Sequence, residues 1–306
     1  MSAEVFMTNY RLMMLDLDGT IIGRDNKISP RVHRAVTRAA ELLHVSIATG
    51  RETDEVLKFA RELGLKTPQV SDNGATIVDP ETGRHVWSAG LSPEHSEEIV
   101  ARLTEMRVPF MATSPFGTIK SIGEVVRWEL TRVSALDISE AAADGVLQAF
   151  SGTQGLHMVK VYLPYNDLWA VDFTRIGITK GASADVLREM MGYGNGGAPP
   201  SPSLSPRAAT SLPSRERADL LKPSGGPRLS AEPDILSRGA GRGESGIGLI
   251  AAGDSYNDIQ MLRAADLRIV MGGAPAEVKA LADYVAPPVE EDGLAVAIEE
   301  FVLPRL

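Results

Sequence analysis

The sequence contains no cysteine in 306 residues, which excludes disulfides and thiolate metal sites and fits a reducing compartment. Aromatic residues make up only 5%. No run reaches the ~20 apolar residues that a membrane helix requires. The first residues, MSAEVFMTNYRLMM, carry an acid near the start and lack the long apolar core of a signal peptide. Basic residues are outnumbered, 31 Lys and Arg against 40 Asp and Glu, and the net charge of −9 opposes general affinity for nucleic acid or acidic membranes. The five histidines (33, 44, 85, 95 and 157) share no ligand spacing. These absences, with a normal 43% hydrophobic content, predict a soluble cytoplasmic protein long enough for one large domain or two ordinary ones; the expected state, monomer or homodimer, is not read from the composition.

Against that plain background two acidic clusters stand out. Asp16 and Asp18 lie two residues apart just after the apolar run Leu12 to Leu15. Far downstream, Gly253-Asp254-Ser255-Tyr256-Asn257-Asp258 follows the apolar run Ile247 to Ala252. Burying one carboxylate is costly and two close together repel, so a cation must offset them, most simply a metal ion. Carboxylates at two strand ends point to one site where parallel strands finish.

The rhythm between the clusters supports that arrangement. Ser29 and Pro30 make a helix start, with Val32, Val36, Ala39, Ala40 and Leu43 following at helical spacing. Val45 to Ala48 reads as a strand ending at Thr49-Gly50-Arg51, Glu52 to Leu63 as a helix closed by Gly64, and Asp72-Asn73-Gly74 as a turn. Strands separated by helices of this length predict right-handed crossovers and a doubly wound parallel α/β sheet. From about Thr82 to Thr174 helices such as Pro93 to Met106 and Ser139 to Phe150 mix with alternating strands such as Met158 to Leu163, which predicts an inserted α+β domain. Trp87, Trp128 and Trp169 fall in it and read as core packing. Residues 192–246 differ again: 10 Gly, 8 Pro and 9 Ser among 55 residues, with Tyr193 the one aromatic, predict disorder. The strand–helix rhythm then resumes from Gly248 to Val302, so residues 1–81 and 175–306 are expected to form one domain and 82–174 the other.

A carboxylate at a strand end can attack phosphorus or carbon while a second moves the proton, and Asp16 and Asp18 have that spacing. Asp254 beside Asp16 would hold Mg²⁺ to neutralise a phosphate dianion. Thr49 can donate its hydroxyl to a phosphoryl oxygen, and Lys180 is the candidate cation for the transferred group. Each residue also has an ordinary reading. A lone DxD can cap a turn, and Lys180 can be a solvated lysine. Thr49 can be a helix N-cap with Glu52 completing a capping box. Asn73 can simply hold a left-handed turn before Gly74. Arg51 can pair with a carboxylate or reach the substrate.

These segments resemble the haloacid dehalogenase superfamily and, within it, the Cof-type phosphatases with a type IIB cap. Asp16 to Thr20, DLDGT, looks like the first motif; the resemblance implies that Asp16 is the nucleophile and Asp18 the general acid/base, with Gly19 turning the chain beside them. Ala48 to Arg51, ATGR, resembles the second, with Thr49, Gly50 and Arg51 at the phosphate. TKGASADVL from Thr179 is similar to the third, which carries Lys180, and GDSYND at Gly253 to Asp258 to the fourth. The implied magnesium ligands are Asp16, Asp18 and Asp254, with Asp258 in support and Asn73 and Asn257 facing substrate. The resemblance implies a Rossmann-like core, a mobile cap at 82–174, and a Mg²⁺-dependent hydrolysis of a small phosphorylated metabolite through an aspartyl-phosphate. A phosphomutase of the same cap type and a non-catalytic phosphoacceptor signalling domain are the rival readings. Two departures from the family pattern are visible. Lys180 and Asp254 are 74 positions apart where the family has a short connection, and Gly273 stands where it usually has Asn.

Overall fold

The computed structural model describes residues 9–163, 165–193 and 247–306. The expected disorder of 192–246 falls almost entirely outside the described residues. β1 (Tyr10–Leu15) is followed by α1 (Pro30–Ala40), β2 (His44–Ile47), α2 (Thr53–Glu62) and β3 (Gln69–Ser71). Ser29 caps α1 as its sequence implies, the hydroxyl accepting from the Val32 amide at 3.1 Å with Pro30 in the first turn. β4 (Thr76–Val78) and β5 (His85–Ser88) then form an antiparallel hairpin on β3. The Pro80 to Gly83 cluster, where the sequence changes texture, is the turn of this hairpin, and Asp79 accepts from the amides of Glu81 and Thr82 there.

Next come α3 (Pro93–Glu105), β6 (Phe110–Ser114), β7 (Gly117–Ile119), β8 (Arg132–Ile138), α4 (Glu140–Phe150), β9 (Leu156–Leu163) and β10 (Leu168–Arg175). Their strands make a five-stranded antiparallel sheet in the order β7-β6-β8-β10-β9. One face buries Val133, Val171 and Phe173 against Ile99, Leu103, Val146 and Phe150 of α3 and α4. The side chains between them, Arg132, Ser134 and Asp172, alternate to the other face, the period of two that strands impose.

α5 (Ala182–Met190), β11 (Gly248–Gly253), α6 (Ile259–Ala264), β12 (Leu267–Val270), α7 (Ala276–Lys279), β13 (Tyr284–Val285) and α8 (Gly293–Val296) follow, and helical turns over Ala297–Val302 and Leu303–Arg305 end the described chain. β1 lies between β11 and β2 in a wholly parallel sheet of order β13-β12-β11-β1-β2. Its alternation divides two cores. Met13 and Leu15 pack on α1, α2 and the C-terminal turns, whereas Leu12 and Met14 pack on α5 and α6. Near-continuous apolar strands are what a sheet covered on both faces needs, and each such side chain buried contributes about 1.5–3 kcal/mol. This is the doubly wound sheet expected from the sequence. Trp87, assigned by sequence to the middle stretch, instead joins the core of Leu12 and Met14, because the β4–β5 hairpin carries it back under the parallel sheet.

Candidate active site

Strand register brings the two acidic clusters together. Leu15 pairs with Ala252, and the Asp16 amide donates to the Ala252 carbonyl at 2.9 Å, so both strands end level with each other. Beyond that point the carboxylates of Asp16, Asp254 and Asp258 converge, one oxygen of each lying within 4.8 Å of the others. Gly19, at φ +78°, makes this possible: a Cβ there would stand 2.1 Å from Asp254 Oδ2. On the other side of β1, Ala48 continues the β2 pairing to Leu15, and Thr49 follows it at the strand end.

Lys180 enters from the loop before α5. Its ammonium donates to Asp16 Oδ1 at 2.5 Å and Asp258 Oδ1 at 2.8 Å, with all three side chains buried. Gly74, at φ +100°, leaves room for this loop, since a Cβ there would meet the Thr179 carbonyl oxygen at 2.3 Å. Burial alone would lower the Lys180 ammonium, but the charges of Asp16 and Asp258 outweigh it and raise it. Burial, then the neighbouring charge of Asp258, pushes the Asp16 carboxyl up to about 7 despite Lys180. Asp254 is likewise raised well above its ordinary value, by burial and by the charges of Asp16 and Asp258.

The three acids are not equivalent. Asp258 has both oxygens committed, Oδ1 to Lys180 and Oδ2 to the amides of Asp254 and Ser255 at 3.0 Å, so it braces the loop. Asp254 Oδ1 is buried and accepts no hydrogen bond. A buried carboxylate oxygen without a partner is expensive, and a divalent cation would supply one. The donor set is all oxygen, which suits a hard cation. The residues therefore fit a metal held chiefly by Asp16 and Asp254. Asp18, expected from sequence to be a third ligand, directs its carboxylate elsewhere: Arg51 donates to both of its oxygens, at 2.9 and 2.6 Å, and the guanidinium charge holds it there.

Thr49 is buried, its Oγ1 accepting from the Arg51 amide at 3.1 Å, which leaves the hydroxyl proton to donate. The capping-box reading of Thr49 is corrected. α2 begins at Thr53 after Glu52, whose side chain makes no cap bond but accepts from the Thr118 hydroxyl. Gly50 lies against the Asn73 amide, where a Cβ would come 3.0 Å from Oδ1. Asn73 also accepts from Asn257 Nδ2 at 3.2 Å and donates to Asp172 Oδ2 at 2.5 Å. Asp72 and Asn73 both hold φ near +50°, strain that is sustained by a dense network. Within it Asp72 accepts from the hydroxyls of Thr76 and Thr131, and Arg132 bridges Asp72 at 3.4 Å and Asp172 at 3.1 Å. The sequence reading missed Arg132, Asp72 and Asp172. The available signal was a charge at an inward position of two otherwise apolar alternating strands.

A cavity of about 660 Å³ separates this cluster from the open face of the antiparallel sheet and includes Asp16, Asp18, Thr49, Arg51, Asp254 and Asn257 in its wall. Gly273, where the sequence departs from the family pattern, also lines it. A second cavity of about 730 Å³ lies beside His44 and Tyr193, at the opposite ends of β1 and β2, and includes none of these residues. No helix among the described residues is long and apolar enough to cross a membrane.

Comparison with known proteins agrees with the geometry. The family of haloacid dehalogenase-like hydrolases matches residues 13–122 and 245–298. The Bacillus subtilis phosphatase YwpJ is 26% identical over 301 residues, 93% of this chain and 97% of that protein. Among solved structures, a haloacid dehalogenase-like hydrolase from B. subtilis superposes with a TM-score of 0.69 at 17% identity, covering 95% of this chain and 99% of the other. The subclass IIB sugar phosphatase BT4131 superposes at 0.64 with 20% identity, covering 95% and 98%. At these identities the two structures speak to the fold alone.

Proposed function

The chain belongs to the haloacid dehalogenase-like hydrolases, and on that premise we propose that it is a Mg²⁺-dependent phosphatase acting on a small phosphomonoester through an aspartyl-phosphate on Asp16. The observation that carries this reading is the buried contact of Lys180 with Asp16 and Asp258, set beside an Asp254 oxygen that has no partner. A buried nucleophile tied to a cation, next to a buried carboxylate oxygen that accepts no hydrogen bond, suits attack on a phosphate dianion better than it suits packing.

In this reading Lys180 fixes Oδ1 of Asp16, and the free oxygen attacks phosphorus in line. The bond from Asp16 to phosphorus forms as the ester oxygen leaves, and Asp18 gives that oxygen its proton. Asp18 then takes a proton from water, which attacks the same phosphorus and releases phosphate with Asp16 restored. Thr49 donates to a phosphoryl oxygen throughout, and Lys180 offsets the negative charge. Bound by Asp16 and Asp254, Mg²⁺ would neutralise the phosphoryl oxygens. Arg51 holds Asp18 before substrate arrives and must give it up for the proton transfer. The stretch after β5, up to Thr174, serves as a cap over the core, which keeps the β4–β5 hairpin with Trp87, and excludes water from the first step.

The test is a panel of phosphate esters with and without Mg²⁺, run beside Asp16→Asn. The wild type should release phosphate only with the metal, and the variant should keep its circular dichroism and release none. Undiminished turnover by Asp16→Asn overturns the proposal.

A further inference from the structure

The wall of the active-site cavity opposite the acidic cluster is the open face of the antiparallel sheet, and its character decides what can sit there. Met111 of β6, Leu136 of β8, and Val161 and Leu163 of β9 all line it. The exposed ring of Tyr165 joins them, with its hydroxyl turned to Asp137 at 3.1 Å. The two charged side chains on this face are already committed. Asp172 accepts from Asn73, Ser134 and Arg132, and Arg132 also pairs with Asp72. The hydroxyls of a polyol turned toward this roof would find its charged groups already paired, at about 1–3 kcal/mol for each hydroxyl buried there without a partner, whereas polar groups such as Ser255, Asn257 and Glu290 lie on the other walls. A flat apolar ring would instead gain contact with four aliphatic side chains and a tyrosine face.

We propose that the roof of Met111, Leu136, Val161, Leu163 and Tyr165 selects phosphomonoesters whose alcohol carries an aromatic or heteroaromatic ring, in preference to hexose phosphates. The proposal rests on the phosphatase reading above and adds the class of the leaving group. The discriminating pair is benzyl phosphate and glucose 6-phosphate. Both are esters of primary alcohols, so leaving-group chemistry is matched and only the group under the roof differs.

With Mg²⁺ present, kcat/KM should favour benzyl phosphate by about tenfold or more. Val161→Thr puts a hydroxyl in the roof at nearly constant shape and should lower the benzyl-to-glucose ratio several-fold; Leu136→Ala should lower it as well. Equal or better turnover of glucose 6-phosphate, or a Val161→Thr effect that scales both esters alike, overturns the proposal. If neither ester is hydrolysed, the phosphatase reading fails, but the roof is still tested by calorimetry. Benzylphosphonate should then bind more tightly than methylphosphonate, and Val161→Thr should narrow the gap. Equal affinities would refute the roof independently of catalysis.

Discussion

Arg51 grips both carboxylate oxygens of Asp18, Nε to Oδ2 at 2.9 Å and Nη2 to Oδ1 at 2.6 Å, while Nη1 reaches Glu55 at 3.1 Å. Such a two-pronged pair fixes the orientation of the acid as well as its partner. The two residues come from the ends of neighbouring parallel strands, so the pairing follows directly from the β1–β2 register. Its consequence is that the acid proposed to move the proton is parked away from the metal-binding cluster until something displaces the guanidinium.

If Arg51 acts through Asp18, their losses must overlap. Asp18→Asn should lower kcat by about 10²–10⁴, the range for losing a general acid/base. Arg51→Ala should cost less, and the double variant should be no worse than Asp18→Asn alone. Steady-state rates on one ester for the wild type and three variants complete the cycle. Fully additive losses would mean that Arg51 works independently of Asp18.

Lys180 makes the second prediction, this time about stability. Lys180→Met leaves Asp16 and Asp258 buried without their cation, which should destabilise the fold by about 3–5 kcal/mol, as when one partner of a buried ion pair is removed. Urea unfolding in EDTA measures this, and added Mg²⁺ should restore part of the loss by partnering Asp16 and Asp254. A variant as stable as the wild type would show that water already solvates the two acids.

The clusters that could be read from the sequence are those whose residues stand at strand ends within short motifs. Asp16, Thr49 and Asp254 each follow an apolar run, so topology predicts that they meet, and Lys180 joins them through the need for a cation and the motif it resembles. Arg132, Asp72 and Asp172 could not be read that way. They are far apart in sequence and meet only because β8 and β10 face the turn after β3. The β4–β5 hairpin was missed for a related reason: Pro80 to Gly83 looks the same in sequence whether it turns a hairpin or leaves a domain. Asp258 was read as supporting, and its two committed oxygens explain why it braces the site. The grip of Arg51 on the Asp18 carboxylate could not be read either, because sequence spacing carries no information about the reach of a guanidinium.

Backbone space around Lys180 gives a third prediction. Gly74→Ala forces a Cβ to within 2.3 Å of the Thr179 carbonyl oxygen and 3.0 Å of the Lys180 amide nitrogen, at φ +100°. The loop carrying the ammonium must shift, so both Tm and kcat should fall. Gly64→Ala is the control: its φ is +66° but nothing lies within 4 Å of the added atom. It should cost only the left-handed penalty, about 1–2 kcal/mol, with kcat retained. Retention of kcat in Gly74→Ala would mean that Gly74 matters for stability only.

The raised carboxyl of Asp16 sets the last prediction, on the coupling of pH, metal and stability. Its folded value of about 7 lies above the ordinary 3.8, so between these limits the folded state binds more protons than the unfolded chain. Stability from this group is therefore greatest below the lower value and is lost as pH rises through the upper one. A divalent cation favours the ionised form and reverses that loss, and at low pH it must compete with the proton. Without metal, Tm should decline between about pH 5.5 and about pH 8, and the increase in Tm on adding Mg²⁺ should be larger at the higher pH. Asp16→Asn should make the metal-free decline shallower, because one of the two raised carboxyls is gone while Asp254 still titrates. Thermal melts in EDTA and in Mg²⁺ at the two pH values decide it. A Mg²⁺ shift that is larger at the lower pH would refute the assignment of Asp16 as the coupled ligand.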